Sequence, residues 1–323
     1  MTMIDEIRVS IGTAIVLGLK RGALPDRPTT AYLMVGKRCV NNCSFCTQAR
    51  EAGGEADMLS RVSWPKYPRD RVIDALKEEG DKFGRVCFQC LNDPEMVPDL
   101  PRLIEDMRSA SDLPVSVSIV PVSKDMMRKL KRSGAERIGI AMDASNPDLF
   151  SKIKGREAGN PYTFQGHRES LLEAIGIFGR GYVSTHIIVG MGESDKDVVE
   201  LIRWCRINGI IPSLFSYTPM KGTRDLGPPP PVGRYRALQI VRHVIVEGDG
   251  DIDVGYDGNW MISEMEVPDR SMVQYAFMTR GCPMCNRPYY NERPGGDVYN
   301  YPRSLSEEEI NRALRDVENY VGE

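Results

Sequence analysis

The chain has 323 residues, of which 41% are hydrophobic, enough for one large α/β domain with appendages or for two modest domains. Lys and Arg total 42 against 45 Asp and Glu, and nothing in the resulting net charge of −3 suggests a strongly electrostatic nucleic-acid partner. The 8 cysteines are too sparse for a disulfide scaffold, and their clustering points to metal ligation in a reducing compartment.

Ile4, Ile7, Ile11, Ala14, Ile15 and Leu19 recur at helical spacing and predict an amphipathic helix over 4–21, within an N-terminal helical extension of residues 1–29. Its apolar run is too short to span a bilayer, and no basic segment, apolar core and cleavage site follow one another. A soluble cytoplasmic protein without membrane attachment is therefore expected. Thr30 to Val35 reads as a first strand, and the Gly- and Glu-rich segment 51–57 as a mobile loop. From Asp70 onward, helices over 70–79, 98–109, 124–134, 164–178 and 194–208 alternate with strands over 85–89, 115–120, 137–142, 182–189 and 211–217. Ser123 and Ser194 are suited to N-caps, and Gly134, Gly179 and Gly209 to helix ends. Alternation of this kind implies a parallel sheet with right-handed crossovers. The fold class expected for residues 30–225 is therefore α/β, a partial (β/α)6 barrel. A Pro-rich connector over 226–231, a helix over 233–247, an irregular tail over 248–302 and a helix opened by Ser306 complete the chain. That extension, residues 226–323, is expected to fold back and cap the barrel mouth.

Cys39, Cys43 and Cys46 stand at C-x3-C-x2-C spacing just after the first strand, with Phe45 preceding the last. Three thiolates on one loop can hold three irons of a cubane cluster and leave the fourth open to a chelating small molecule. A zinc loop is the competing reading, but zinc sites usually close with four ligands. In parallel α/β folds function gathers at the C-terminal ends of strands. Those ends supply Asn92-Asp93-Pro94, Asp143 and the run from His186 through Ile188 and Gly190 to Glu193. Taken singly, these are a turn acid, a core isoleucine, a turn glycine and a helix-start acid. His186 and His243 read as packing or surface residues, and Cys205 as a core thiol on an apolar helix face. Four more cysteines form two C-x2-C pairs, Cys87 with Cys90 and Cys282 with Cys285. Four soft thiolates suit zinc or an iron-sulfur cluster equally on ligand chemistry alone.

The cysteine loop with Phe45 resembles the signature of the radical S-adenosylmethionine (radical SAM) superfamily. That resemblance implies a [4Fe-4S] cluster held by Cys39, Cys43 and Cys46, with S-adenosylmethionine on the open iron and a 5'-deoxyadenosyl radical as the reactive species. Carried over by position, Asp93 would meet the amino group, although Asn92-Asp93-Pro94 departs from the family's Gly-Gly-Glu-Pro run. Asp143 would reach a ribose hydroxyl, and Phe45, Ile188, Gly190 and Glu193 would surround the adenine. From about Thr30 to Thr223 the chain looks like the biotin synthase and lipoyl synthase branch. The tail Gly281-Cys282-Pro283-Met284-Cys285-Asn286-Arg287-Pro288-Tyr289-Tyr290 is most similar to two-component lipoyl synthases. This implies sulfur insertion into an octanoyl chain on a carrier protein, with Cys87, Cys90, Cys282 and Cys285 around a second, auxiliary iron-sulfur cluster. The implied partners are the octanoylated carrier, a second radical SAM protein, and an electron donor such as ferredoxin or flavodoxin. Arg280, Arg287 and Arg293 are candidates for anchoring an anionic substrate group. Biotin-type sulfur insertion, a mutase or ring-forming enzyme with zinc in the tail, and an iron-sulfur carrier remain as alternatives.

Overall fold

The computed structural model describes residues 4–224, 226–248, 250–292 and 295–322. Six parallel strands form its frame: β2 (Thr30–Val35), β6 (Arg85–Cys90), β7 (Val115–Ser118), β8 (Ala135–Gly139), β9 (Val183–Val189) and β10 (Ile210–Ser216), paired in that order. Helices α2 (Arg69–Glu79), α3 (Leu100–Ala110), α4 (Lys124–Arg132), α5 (Pro147–Ile153), α6 (Phe164–Phe178) and α7 (Asp195–Asn208) lie in the connections. The α/β partial barrel expected from the alternation is what forms. Its strands are buried along nearly their whole length because helices cover the outer face and the barrel encloses the inner one. Ser123 and Ser194 cap α4 and α7 by accepting backbone N–H bonds from Met126 and Asp197.

The N-terminal segment departs from expectation. Residues 4–21 do not form one helix. Glu6–Val9 is a strand, β1, antiparallel to β2, and only Ile11–Val16 is helical, as α1. Ile7, which looks like a helix-spaced apolar position, is instead buried with Val9, its alternate neighbour, in a strand of the sheet. A short hairpin of β3 (Met58–Leu59) and β4 (Val62–Ser63) follows, and β5 (Lys66–Pro68) then pairs with β1. The segment 51–57, read as mobile, is tied down: Gly53 N donates to Gly222 O, and the Ala56 carbonyl accepts from Gln48 and Arg8.

The C-terminal extension is built on α8 (Val232–Glu247), the two-stranded β11 (Val254–Tyr256) and β12 (Ile262–Met265), the single turn α9 (Arg270–Val273) and α10 (Glu307–Val321). Helix α10 crosses α8 so closely that a Cβ at Gly233 would stand 2.3 Å from the Asp316 carbonyl oxygen. Asp195, fully buried, ties this extension to the barrel by accepting from Arg234 Nε at 2.8 Å, Ile262 N at 3.0 Å and Tyr320 Oη at 2.6 Å.

The tail reaches the barrel mouth only with Tyr290 and Asn291. Around Met284 it seats under the N-terminal ends of the strands, where Thr29 and Thr30 hydroxyls donate to the Met284 carbonyl and Arg85 Nε donates to Pro283 O. It then climbs the open side of the barrel. There the Tyr290 carbonyl accepts from Arg61 N, and Asn291 Nδ2 donates to the Ser216 carbonyl of β10. Six strands cannot close a ring of this kind, so chain from outside the sheet fills the gap.

Candidate functional site

The barrel interior is polar. Thr30, Arg85, Ser116, Ser118, Ser184 and Ser213 point inward from the strands. Two sets of thiols face this interior from different directions.

The first set stands above the C-terminal end of β2. Cys39, Cys43 and Cys46 line an open cavity together with Asn41, Phe45, Asp143 and Lys154. Hydrogen bonds hold the loop. Asn160 Oδ1 accepts from Asn42 N at 2.7 Å, Asn160 Nδ2 lies 3.9 Å from Cys43 Sγ, and Cys46 N donates to the Cys43 carbonyl. Burial pushes the Cys46 thiol up to about 12, and the neighbouring Cys39 and Asp143 add to the shift. Cys43 is raised further, again chiefly by burial. Such thiols are neutral until a metal displaces their protons, so loading the loop releases protons.

Phe45 and Ile188 face a second, adjoining cavity beside Cys46, where two apolar walls suit an aromatic base. Asp143 borders both cavities and pairs with the buried Lys154 at 2.6 Å. Its backbone is in the left-handed region, at φ 63°. The remaining positions carried over from the family pattern lie elsewhere. Asp93 accepts from the backbone N–H groups of Lys37 and Glu95 and faces the outer side of the cysteine loop. Glu193 accepts from Gly190 N and Met191 N and pairs with Arg234, so Gly190 and Glu193 build a turn away from the cavities.

The second thiol set lies deeper. Cys87, on β6, and Cys282 and Cys285, on the tail, line one small interior cavity. Gln89 Nε2 donates to Cys87 Sγ at 3.0 Å, and Tyr32 Oη lies 3.5 Å from Cys285 Sγ. The tail reaches this depth because residue 281 is glycine: a Cβ there would stand 2.7 Å from Ser213 Oγ. Burial pushes Cys87 up to about 12, reinforced by Cys282 and opposed by Arg287. Cys90 is not part of this group. It packs against the layer between sheet and helices and opens on the cavity of the first set. In a strand, residues i and i+3 point to opposite faces, so the two thiols of this pair diverge and only Cys87 lines the deeper cavity. Cys205 is a fully buried core thiol on α7, and Ser271 is exposed on α9.

Arg287 was one of three candidate anchors in the sequence, and the structure buries it at the centre. Its guanidinium donates to Gln89 Oε1 at 2.8 Å and sits over the rings of Tyr32, Phe215 and Tyr290, 5.7, 5.2 and 5.0 Å from their centroids. It borders the second thiol set and also the cavity of Phe45 and Cys46. Arg280 instead pairs with Glu247 away from the thiols, and Arg293 lies outside the described residues. His186 packs edge-on against Phe215 and borders both cavities, with its pKa pulled well below the ordinary value by burial, Arg287 and Lys154. Sequence reasoning passed over Lys154, Asn160, Gln89 and Tyr32 because no spacing signals them; each is placed by tertiary contact.

The first donor set, three soft thiols on one loop beside an open cavity, fits an iron-sulfur cluster. The second is also cysteine-only, and among the described residues no three Cys, His, Asp or Glu side chains gather around one ion-sized point. No described helix is long and apolar enough to cross a membrane.

The Radical SAM superfamily profile matches residues 33–205. The chain is 27% identical over 216 residues to a biotin synthase of Persephonella marina, covering 63% of this chain and 58% of that protein. It is 23% identical over 189 residues to a GTP 3',8-cyclase of Acidothermus cellulolyticus, covering 57% of this chain and 50% of that one. The chain thus spans less than two thirds of these relatives. Among solved structures, the FeFe-hydrogenase maturase of Carboxydothermus hydrogenoformans superposes with a TM-score of 0.55 at 16% identity, over 89% of this chain and 65% of that one. A methylornithine synthase superposes with a TM-score of 0.52 at 17% identity, over 62% of this chain and 56% of that one. Likeness at that level concerns the barrel alone.

Proposed function

Because the chain belongs to the radical SAM superfamily, we propose that it inserts sulfur into an acyl chain, as a lipoyl synthase does, taking the sulfur from an auxiliary cluster on its second thiol set. The observation that carries this reading is the meeting of Cys87, Cys282 and Cys285 inside the barrel, one residue away from the cavity of Cys46 and Phe45. Arg287, His186 and Phe215 line both cavities. A purely structural metal has no need of the barrel interior, whereas a sulfur donor has to stand where a substrate radical can reach it.

In this reading a [4Fe-4S] cluster with S-adenosylmethionine, bound at Cys39, Cys43 and Cys46, supplies one-electron cleavage and a radical able to break an unactivated C–H bond. The chain's own residues bind, orient and exclude. Phe45 and Ile188 would clasp the adenine, and the Asp143–Lys154 pair offers a carboxylate and an ammonium to the polar end of the cofactor. Asp93, Gly190 and Glu193 act at one remove by fixing the turns that carry the site. Arg287 balances the negative charge of three thiolates, and Gln89 holds it in place. His186 stays neutral, so it does not compete for protons in the interior. The proposed partners are an octanoylated carrier protein, a second radical SAM protein that shares the two sulfur additions, and a ferredoxin or flavodoxin as reductant.

The cyclase relatives favour a second reading, in which a ring-forming reaction uses only the first cluster and the tail thiols hold a structural metal. The double variant Cys282→Ala with Cys285→Ala separates the two. Sulfur insertion requires loss of about four irons per chain, assuming a four-iron cluster, with 5'-deoxyadenosine formation retained and no sulfur in the product. Loss of zinc instead of iron would favour the ring-forming reading.

A further inference from the structure

A further cavity lies beside the barrel, between α1, the loop 24–28, the β4 region and the tail. Its wall is apolar, formed by Leu24, Pro25, Pro28, Val62, Trp64 and Pro288. Its remaining border includes Tyr32, Arg287 and Tyr290. These three side chains also belong to the site: Tyr32 touches Cys285, while Arg287 and Tyr290 line the cavity of Phe45 and Cys46. A wall one side chain thick therefore separates this apolar space from both thiol sets.

Of the charged groups at this cavity, Asp26 is engaged by Tyr289 and Arg303, Arg287 by Gln89, and Arg61 is not free either. A polar ring or a phosphorylated ligand would find little to pair with. An alkyl chain would find aromatic, prolyl and aliphatic surface throughout.

We propose that this side cavity receives the hydrocarbon of a straight-chain acyl amide, methyl end inward, and delivers it past Tyr290 to the space between the two thiol sets. The inference rests on the sulfur-insertion reading and adds to it the substrate's route of entry. Carrier and amide would then remain at the outer face, beside α1 and the loop 24–28.

The test is calorimetric titration of anaerobically purified holoprotein with short peptides carrying Nε-acetyl, butanoyl, hexanoyl or octanoyl lysine. Burial of each methylene in an apolar site is expected to tighten binding about fourfold. A Cβ at Gly12 would be in ordinary contact with Pro28 and Leu24, so Gly12→Leu grows into the cavity, and Leu24→Trp fills it from the opposite wall. Both variants are expected to flatten the series. A wild-type series that is steep and equally steep in both variants would overturn the side cavity while leaving sulfur insertion standing. A flat wild-type series would overturn both. Independently of any variant, an octanoyl-lysine peptide with a diazirine near its chain end is expected to label segments 24–28, 62–64 or 288–290, and labelling confined to other segments would overturn the assignment.

Discussion

Phe45 shows how one side chain serves two cavities: it lines that of the three cysteines and the adjoining one with Ile188. Phe45→Ala removes apolar contact from the proposed adenine site and should weaken S-adenosylmethionine binding by about 1–3 kcal/mol, measured by equilibrium dialysis. Unchanged affinity would place the adenine elsewhere. His167 gives a second residue-level expectation. It is buried edge-on against Phe150 and Tyr162, and burial together with Lys154 holds its pKa down to about 2. A histidine kept neutral in the fold but able to take a proton when unfolded, near its ordinary pKa of about 6.5, costs stability as pH falls below that value. The cost for this group approaches about 1.4 kcal/mol per pH unit between the two pKa values. His167→Phe should therefore flatten the fall in stability between pH 6 and pH 4.5, read from denaturant midpoints, by about one proton's worth. An unchanged slope would show that His167 is not the group responsible.

At the level of elements, the six strand-helix units were legible because each strand is short and apolar and each helix has its own stop signals. Helix α6 runs from Phe164 to Phe178 and ends at Gly179, and α7 begins at Ser194 with a capping box to Asp197, both read directly from local chemistry. The N-terminus was misread because Ile4, Ile7 and Ile11 fit a helical period as well as they fit a strand followed by a helix; pairing with β2 and β5 decides it. The second thiol set was legible as cysteines but not as a geometry. A C-x2-C pair converges in a loop, as Cys282 and Cys285 do, with Cys285 N bonded to the Cys282 carbonyl. In β6 the same spacing diverges. This makes a sharp expectation: Cys87→Ala should empty the second metal site, whereas Cys90→Ala should leave its iron content unchanged. Equal loss from both would return Cys90 to the ligand set. The Arg287 position was legible only as one arginine among several, since nothing in its local sequence says that three rings and a glutamine will enclose it.

For the whole molecule, the tail is what turns an open partial barrel into a chamber. It enters below the strands at Met284, contributes two thiols and Arg287 to the interior, and leaves along β10 at Asn291. The Asp195 anchor and the α8–α10 contact hold the rest of the extension against the barrel. Sulfur insertion follows from this architecture only if the second thiol set carries the sulfur that reaches the product. The direct measurement is isotopic. The second site is reconstituted with 34S-sulfide, and one turnover is run with octanoyl-lysine peptide, S-adenosylmethionine and a reductant, together with any partner protein required. The product mass is then read. The account predicts product carrying 34S and a second site depleted of sulfide; product containing only unlabelled sulfur, or labelled sulfide retained in full after turnover, would contradict it.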